Sequence, residues 1–478
     1  MTGVAGAAST AFASALDFLV AEACALRFEG LPPAALTLVR QGLLDTLGVA
    51  LAGRATEVSL VLDRAVLGGA TPGTTAGAAS VWGSALRTDP ATATLVNATA
   101  GHALDYDDWA PGSGAHPSVT LVPTLLAAAE LRAGGASSPG SAGHLRGPLT
   151  GREFITAYVA GYELQERIGL AISPSHYDLG FHTTAIVGTL GAAVAATLAL
   201  GGDERAVRTA LKIAATEAAG LKSMFGSMGK PLHAGRASAA GLLAAQLALA
   251  GFEEPQNDIL FGEQGFAPTH STEVRQDALT GAFGEPWYVE SNLFKFFPSC
   301  FGTHAAIAAA QQIRRQPAFD AELVTGIQLT VPPIVLKVCV IENPQTGLEG
   351  KFSLAYTTAV ALLTGEAGLS AFTDPFAPSP RLESLTRLVT LHVDDSFAKT
   401  RTVVEVEQSG IDMPWSADVD AGVQRFVDSP TEQQAALDQK FFELATPVIG
   451  RASAASLRDV VLDLDSCADV ASLVALLH

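Results

Sequence analysis

The chain has 478 residues, which is too many for one ordinary core, so two domains are expected. Hydrophobic residues make up 48% of the chain and charged residues only 16%, which favours further burial between subunits. Its formal net charge is −19 and it has no basic tract, which argues against nucleic acid and anionic membranes as partners. Because an acidic protein repels anions at long range, any site for a carboxylate must be a local region of positive potential.

The cysteines and the N-terminus indicate a cytoplasmic protein. Four cysteines are scattered without paired spacing, as expected of reduced thiols: Cys24, Cys300, Cys339 and Cys467. No Lys or Arg precedes Arg27, so the N-terminus does not resemble a signal peptide. The apolar stretches Val187–Gly202 and Ala237–Phe252 are shorter than the roughly 20 residues that a membrane span needs, and core helices explain them better.

From the N-terminus to about residue 270, Ala and Leu recur at helical spacing between Gly and Pro punctuation. This pattern predicts one helix after another. The stretch Ala133–Gly151 is rich in Gly and Ser and contains two prolines, so it is predicted to be an exposed loop.

The pattern changes after Thr269. Alternating β-branched residues predict strands, and apolar helical segments lie between them: strands at Val324–Val340, Leu388–Val393 and Thr402–Glu407, helices at Gly302–Arg314 and Phe352–Leu363. From about Thr431 the helical pattern returns, through Phe441–Ala445 and Ala452–Val460. The predicted fold is mainly α. A large helical domain, formed by residues 1–270 and 415–478, is interrupted by a smaller α+β domain at 271–414.

Polar residues cluster where predicted helices begin. The four helix starts are His116-Pro117-Ser118, Phe181–Thr184, Gly229–His233 and Pro298–His304. A helix N-terminus presents unpaired N–H groups and the positive end of the helix dipole, and therefore favours anions. If these starts converge in the fold, they supply the positive region that the acidic protein requires.

The segment His102–Trp109 adds three carboxylates within four residues, at Asp105, Asp107 and Asp108. On a helix, Asp105 would share a face with His102 and with Asp108. Carboxylates this close raise one another's pKa, which suits proton transfer. The alternative is a solvated acidic helix end, which the neighbouring histidine and aromatic residues make less attractive.

Other chemistries have weaker support. His102, Asp105, Asp108 and His116 are metal-ligand types, but they lack the spacing of an HExxH or facial-triad site, so no metal is predicted. Ser299-Cys300 has no recognisable triad context, and no GxSxG elbow is present. No strand-linked GxGxxG motif or P-loop is present either, which argues against nucleotides.

The combination of motifs resembles the MmgE/PrpD family. The matching segments occur in order along the chain: His102–Asp108, His116-Pro-Ser118, Gly161-Tyr-Glu163, Phe181-His182, Val187–Gly191, Ala214–Leu221, Gly229–Arg236, Pro298-Ser-Cys300 and Phe352–Tyr356. The resemblance implies a large helical domain, a smaller α+β lid domain and a homodimer. It also implies a lyase that needs no metal or organic cofactor and acts next to a carboxylate of a small di- or tricarboxylate, such as cis-aconitate or 2-methylcitrate.

The resemblance also implies site residues. Carried over by motif, the catalytic positions are Asp105, His116, His182, Lys230 and Tyr356, and the expected substrate contacts are Trp109, His233, Arg236, Ser299 and Cys300. Lys230 is expected to hold a substrate carboxylate, with the two histidines His116 and His182 as acid and base.

Two departures from the family pattern bear on the substrate. Trp109 stands where the family commonly has Thr, and the loop Ala110–Ala115 differs from the dehydratase pattern. Dehydration and decarboxylation therefore both remain open, as does epimerisation of a dicarboxylate similar to iminodisuccinate. Outside this family, a metal-dependent hydrolase and a non-catalytic carboxylate-binding protein are the alternatives.

Overall fold

The computed structural model describes residues 15–68, 78–134, 147–254, 256–339, 341–422 and 430–478. Across these residues the chain is mainly helical with a small α+β part, which confirms the predicted fold class. Residues 135–146, which make up most of the predicted loop at Ala133–Gly151, lie outside the described residues.

The longer helices follow a helical segment at 15–25. In chain order they are α1 (Pro33–Gly53), α2 (Glu57–Val66), α3 (Pro90–Ala103), α4 (Ser118–Ala133), α5 (Gly151–Ile172), α6 (Thr183–Ala199), α7 (Glu204–Glu217), α8 (Gly229–Leu249), α9 (His304–Arg314), α10 (Leu354–Thr364), α11 (Pro380–Arg387) and α12 (Pro430–Leu462, kinked at Gly450, whose backbone is not helical). Short helices lie at Ser175–Asp178, Phe266–His270, Asp277–Thr280, Val335–Val338, Gly347–Gly350 and Ala471–Val474. The strands are β1 (Ala79–Ser80), β2 (Arg87–Thr88), β3 (Val324–Val331), β4 (Val389–Val393), β5 (Arg401–Gln408) and β6 (Trp415–Asp420).

The chain divides into two compact units. The first, called the helical unit below, comprises Met1–Ser223, Met228–Phe294 and Gln434–His478. The second, called the α/β unit, comprises Met224–Ser227 and Lys295–Gln433.

The helical unit is organised around α6, whose residues are buried on nearly every side. Its composition of Ala, Gly and β-branched residues suits this position, because small side chains let neighbouring helices approach closely. A Cβ on Gly241 of α8 would lie 2.8 Å from the backbone nitrogen of Ala193 in α6. The backbones of α6 and α8 are therefore in direct contact.

A second close approach joins α8 to α3. A Cβ on Gly235 would lie 2.1 Å from Oγ1 of Thr99 and 2.5 Å from the carbonyl oxygen of Leu95. Because α3 ends just after His102 and α8 begins just before Lys230, this crossing sets the distance between the two parts of the chain that carry these side chains.

The α/β unit contains a four-stranded sheet in the order β4-β3-β5-β6. Strand β3 pairs with β4 in parallel and with β5 in antiparallel orientation, with Leu329 opposite both Leu391 and Val404. Along β5, buried residues alternate with more exposed ones, as expected of a sheet with one covered face. Helices α9 and α10 pack against each other, and α9 packs against β5 and β6.

Two of the strand predictions are confirmed and one is wrong in its second half. Strands β4 and β5 lie within a residue of the predicted segments. The strand predicted for Val324–Val340 ends at Val331, since Pro332 and Pro333 have no N–H to donate to a ladder, and a short helix follows at Val335–Val338.

Strand β6 was not predicted. Its sequence, Trp-Ser-Ala-Asp-Val-Asp, contains residues that are depleted in strands, so the local pattern is weak. Pairing with β5, in which Val404 lies opposite Ala417, supplies the strand conformation that local propensity does not.

Among the described residues one helix, α1, is long and apolar enough to cross a membrane, with a mean hydropathy of 1.3. Most of α1 is buried within the helical unit. It therefore packs as a core helix, a role that requires the same apolar composition.

We predict that Gly235→Ala lowers the free energy of unfolding by about 1–3 kcal/mol, because the added methyl group would overlap the backbone of α3. Urea denaturation followed by circular dichroism measures the change. Gly30→Ala is the matched control, since a Cβ there meets nothing within 4 Å. A Gly235→Ala protein as stable as the control would show that α3 and α8 can accommodate the methyl group, and would contradict the prediction.

Candidate active site

The acidic segment begins where α3 ends. His102 lies in the last turn of α3, which stops at Ala103, and Asp105 adopts a left-handed backbone conformation with φ of 51°. Asp is among the few residues that tolerate this conformation. The prediction that His102, Asp105 and Asp108 share a helical face is therefore wrong, because the chain turns at Asp105 before the helix can continue.

The three carboxylates are buried, not solvated. Asp105 is 2% exposed, and Asp107 and Asp108 are 0% exposed. Burying an ionised carboxylate is costly unless hydrogen bonds or opposite charges compensate it. Each of the three carboxylates has a different set of partners, and the turn at Asp105 determines which side chains each of them contacts.

Asp107 lies between two imidazoles. Its Oδ2 is 2.8 Å from Nδ1 of His102 and 3.2 Å from Nδ1 of His116. Burial by itself would raise the pKa of Asp107, but the two histidines hold it well below its ordinary value. A carboxylate facing both Nδ1 atoms favours a proton on the Nδ1 of each ring, which would leave Nε2 as the acceptor.

Lys230 provides the positive charge of the cluster. It lies in the first turn of α8 and is 5% exposed, and its Nζ is 2.5 Å from Oδ1 of Asp105. The same Asp105 oxygen is 4.0 Å from Nε2 of His116. Asp105 thus lies between the Lys230 ammonium group and the His116 ring.

His182 and His233 form the opposite side of the cluster. His182 is the N-cap residue of α6, its ring stacks on His102 with centroids 5.9 Å apart, and its Nδ1 is 3.1 Å from Nδ1 of His233. Burial, with Lys230 and the neighbouring histidines, lowers the pKa of His182 well below its ordinary value, and burial lowers the pKa of His233 as well. Both rings are therefore neutral near pH 7, and one Nδ1–H donates to the other ring.

Three of the four predicted helix starts converge on this cluster, through His116, His182 and Lys230. The fourth, Pro298–His304, belongs to the α/β unit. The convergence brings carboxylates and ammonium together inside one buried group of side chains. The acidic residues lie within the cluster.

The backbone around His116 is held by the side chains of Thr184 and Asp108. The His116 N–H donates to Oγ1 of Thr184 on α6 over 3.1 Å. Asp108 accepts from the N–H of Ser118 over 3.2 Å, from the Ser118 hydroxyl, and from Nδ2 of Asn292 over 2.7 Å. These contacts leave the position of His116 little freedom.

Asp108 differs from Asp107 in its titration. Burial raises the pKa of Asp108 to about 7, with Asp45 and Asp107 adding to the rise and the hydrogen bonds from Ser118 and Asn292 opposing it. Asp108 therefore exchanges its proton near neutral pH, while Asp107 stays ionised. Two neighbouring aspartates have opposite pKa shifts because only one of them faces imidazoles.

The expected substrate contacts of the helical unit are not all in the cluster. Trp109 is half-buried and pairs with Leu293 through two backbone hydrogen bonds of 2.8 and 2.9 Å. His233 is part of the cluster, but Arg236, one turn further along α8, is exposed.

The remaining predicted site residues belong to the α/β unit. Tyr356 lies in the first turn of α10, and its hydroxyl donates to the carbonyl oxygen of Ala371 over 2.6 Å. Ser299 is fully buried, and its hydroxyl is 2.8 Å from that of Thr303. Cys300 is half-buried.

Among the described residues, one group has the geometry of a metal site. His102, Asp105, Asp107 and His116 offer ligand atoms that lie within 4.8 Å of one another. Imidazole nitrogens and carboxylate oxygens suit Zn²⁺ and similar ions. However, a cation at this position would compete with the ammonium group of Lys230 for Asp105, and it would disturb the contacts between Asp107 and both rings.

Two residues of the cluster, Asp107 and His102, were not among the catalytic positions predicted from the sequence. Both are in the acidic motif, but nothing in the local pattern separates Asp107 from its two neighbours. The deciding feature is the left-handed turn at Asp105, which an Asp–aromatic–Asp–Asp sequence does not reveal.

Two family models match the chain: the MmgE/PrpD N-terminal domain over residues 19–277 and the MmgE/PrpD C-terminal domain over residues 297–466. Cis-aconitate decarboxylase of Homo sapiens is 27% identical over 452 residues, covering 91% of this chain and 88% of that protein. Cis-aconitate decarboxylase of Aspergillus terreus is 25% identical over 425 residues, covering 84% of each. The corresponding protein of Mus musculus is 28% identical over 362 residues, covering 73% of this chain and 70% of that protein. With both domain models matched in order and together covering most of its length, the chain belongs to the MmgE/PrpD family.

Proposed function

We propose that the chain is a lyase that acts next to a carboxylate of a small di- or tricarboxylate, with decarboxylation of cis-aconitate as the first reaction to test. The observation that carries the proposal is the buried Asp107 carboxylate between two imidazoles, beside the Lys230–Asp105 ion pair. The similarity to cis-aconitate decarboxylases supports the choice of first substrate.

Lys230 is the proposed anchor for a substrate carboxylate. Its ammonium group already binds a carboxylate, that of Asp105, in a buried environment where charge-assisted hydrogen bonds are strong. An incoming carboxylate can share or replace this partner. Binding at Lys230 would place the carbon next to that carboxylate within reach of the histidine cluster.

His116 and His182 are the proposed proton carriers. Asp107 keeps the proton of His116 on Nδ1 and stabilises the imidazolium that forms when Nε2 takes up a second proton. In a decarboxylation the C–C bond breaks, CO2 leaves, and the electron pair left on carbon takes a proton from an imidazolium. In a dehydration the same groups remove the proton next to the carboxylate and protonate the departing hydroxyl.

The family resemblance also assigns Tyr356, in the α/β unit, the role of a hydrogen-bond donor. Its hydroxyl donates to the carbonyl of Ala371. Burial raises the pKa of Tyr356 to about 12, so the phenol stays protonated and acts as a donor throughout the neutral range.

A metal-dependent hydrolase is the second candidate, because the four ligand types of the cluster lie close together. Epimerisation of a dicarboxylate is a variant of the first proposal, since it also requires proton transfer at a carbon next to a carboxylate. The hydrolase differs from the lyase and its epimerase variant in that its activity would depend on a metal.

Proton NMR in deuterated water with methylcitrate, cis-aconitate, citrate, malate and iminodisuccinate detects elimination, decarboxylation and simple proton exchange together. We predict turnover of at least one of these compounds, and a loss of 10² to 10⁴ fold, as an order of magnitude, in His116→Ala and Lys230→Ala. His392→Ala, in the edge strand β4 of the α/β unit, is the control and is expected to retain wild-type activity. Near-normal turnover by both site variants would remove their assignment.

Asp107→Asn is predicted to lower kcat by roughly 10² fold or more with a smaller effect on KM, because an amide cannot stabilise two imidazoles as a carboxylate does. The pH profile adds a second readout. The Asp107 charge stabilises a protonated imidazole in His116 as it does in His102, whose pKa it raises, so its removal should move the limb of kcat/KM that reports imidazole titration to lower pH. A shift of that limb to higher pH, or no loss of kcat, would contradict the role given to Asp107.

Dialysis against a metal chelator is predicted to leave activity unchanged, since the proposed steps use the ammonium of Lys230 and the imidazoles. Metal analysis of the purified protein accompanies the assay. Activity that is lost on dialysis and restored by zinc or manganese would establish the metal-dependent alternative.

A further inference from the structure

The loop that precedes His116 is a closed turn. The N–H of Ala110 donates to the carbonyl of Ala115 over 2.9 Å, and the N–H of Gly114 donates to the carbonyl of Ala110 over 2.9 Å. Gly114 has φ of +80°, a conformation that favours glycine. The turn therefore brings the chain back on itself between Trp109 and His116.

A buried carboxylate on α5 holds this turn. Oε2 of Glu166 accepts from the N–H of Ser113 over 3.1 Å, and Oε1 accepts from the Ser113 hydroxyl over 2.5 Å. The Ser113 hydroxyl oxygen accepts in turn from the N–H of Ala115 over 3.1 Å. Glu166 is 1% exposed and Ser113 is 7% exposed. A continuous hydrogen-bonded path thus leads from α5 to the residue before His116.

The turn also lies directly against α5. A Cβ on Gly169 would be 2.5 Å from the Cβ of Ser113, and a Cβ on Gly112 would be 3.0 Å from Oε2 of Glu166. Glycine at both positions permits this close approach. With so little free space, a change in the Glu166–Ser113 contact must move the turn.

We propose that Glu166 is a positioning residue that sets the place of His116 by fixing the turn at Ser113. The contacts with Thr184 and Asp108 hold His116 itself and the chain after it. Glu166 holds the chain before it. The proposal rests on the proposed function, because that function gives His116 its role in proton transfer.

The charges around Glu166 add a pH dependence. Burial raises the pKa of Glu166 to about 7, with Glu163 on the same helix adding to the rise and the hydrogen bonds from Ser113 opposing it. Glu163 is itself paired with Arg167, and Glu166 contributes to the raised pKa of the neighbouring Tyr162 hydroxyl. If the turn leaves α5, the Glu166 carboxyl meets water and its pKa returns toward 4.5. The docked turn therefore binds the proton more tightly, and docking weakens as the pH rises through 7.

The test compares Glu166→Ala and Ser113→Ala with a matched control on α4. Glu130 accepts from the N–H and the hydroxyl of Ser80 over 2.9 and 2.7 Å and also pairs with Arg87, so Glu130→Ala removes a similar carboxylate–serine contact elsewhere in the fold. Glu130 lies about 18 Å along the helix from Ser118, since each residue adds about 1.5 Å. Steady-state kinetics with cis-aconitate, or with whichever carboxylate the NMR screen identifies, gives kcat and KM. Hydrogen exchange followed by mass spectrometry gives the protection of residues 110–115.

In Glu166→Ala we expect kcat to fall about tenfold, with a smaller change in KM, because a small displacement of an acid–base group is costly. Residues 110–115 should exchange faster than in the wild type at pH 6, since alanine has no oxygen to accept from Ser113. In the wild type their exchange should rise between pH 6 and pH 8 more steeply than the intrinsic amide exchange rate, and this excess should be absent from Glu166→Ala. Glu130→Ala should match the wild type in both measurements.

Wild-type kcat together with wild-type exchange in Glu166→Ala would overturn the proposal. If Glu166→Ala does not fold, the same two measurements on Ser113→Ala decide, since that change removes only the hydroxyl. If the wild type turns over no carboxylate, the proposed function fails. The exchange measurements then still report whether Glu166 holds the turn.

Discussion

The candidate site depends on one buried interaction, the contact of a single Asp107 oxygen with the Nδ1 atoms of His102 and His116. An ionised carboxylate without partners would be too costly at 0% exposure, and the two imidazoles offset that cost. The same contact favours a proton on the Nδ1 of both rings, which would leave their Nε2 atoms as acceptors. The contact that compensates the burial of Asp107 is therefore also the contact that prepares the two imidazoles for proton transfer.

The second constraint is charge balance. In a chain of net charge −19, a buried cluster that contains Asp105 and Asp107 must include a cation if it is to accept an anionic substrate. Lys230 is that cation, and the low pKa of His182 follows from burial and from its neighbourhood. The close crossing of α3 and α8 at Gly235 keeps Lys230 near the end of α3. Glycine in the middle of a helix, which is unfavourable locally, is explained by this contact.

Much of the fold was predictable because it depends on local periodicity. The alternation of β4 and β5 and the helical spacing of α6, α8, α9 and α10 all predicted their elements. Prediction failed where a neighbour or a backbone constraint decided the outcome. Pro332 ended β3 because it lacks an N–H, and β6 is a strand because β5 provides hydrogen-bond partners for residues of low strand propensity. The Gly/Ser-rich loop lies mostly outside the described residues.

The sequence by itself determined the fold class, the places where α4, α6, α8 and α9 begin, and a resemblance that pointed to Asp105, His116, His182 and Lys230. Only the tertiary structure decided which aspartate faces the imidazoles, since that choice follows from the left-handed turn at Asp105 and not from residue type. It also decided that Glu166, 50 residues after His116 in the chain, holds the turn before that histidine. The physical reason is the same in both cases: periodicity encodes which face of an element is buried, whereas the partners of a buried polar group are set by contacts between residues far apart in the chain.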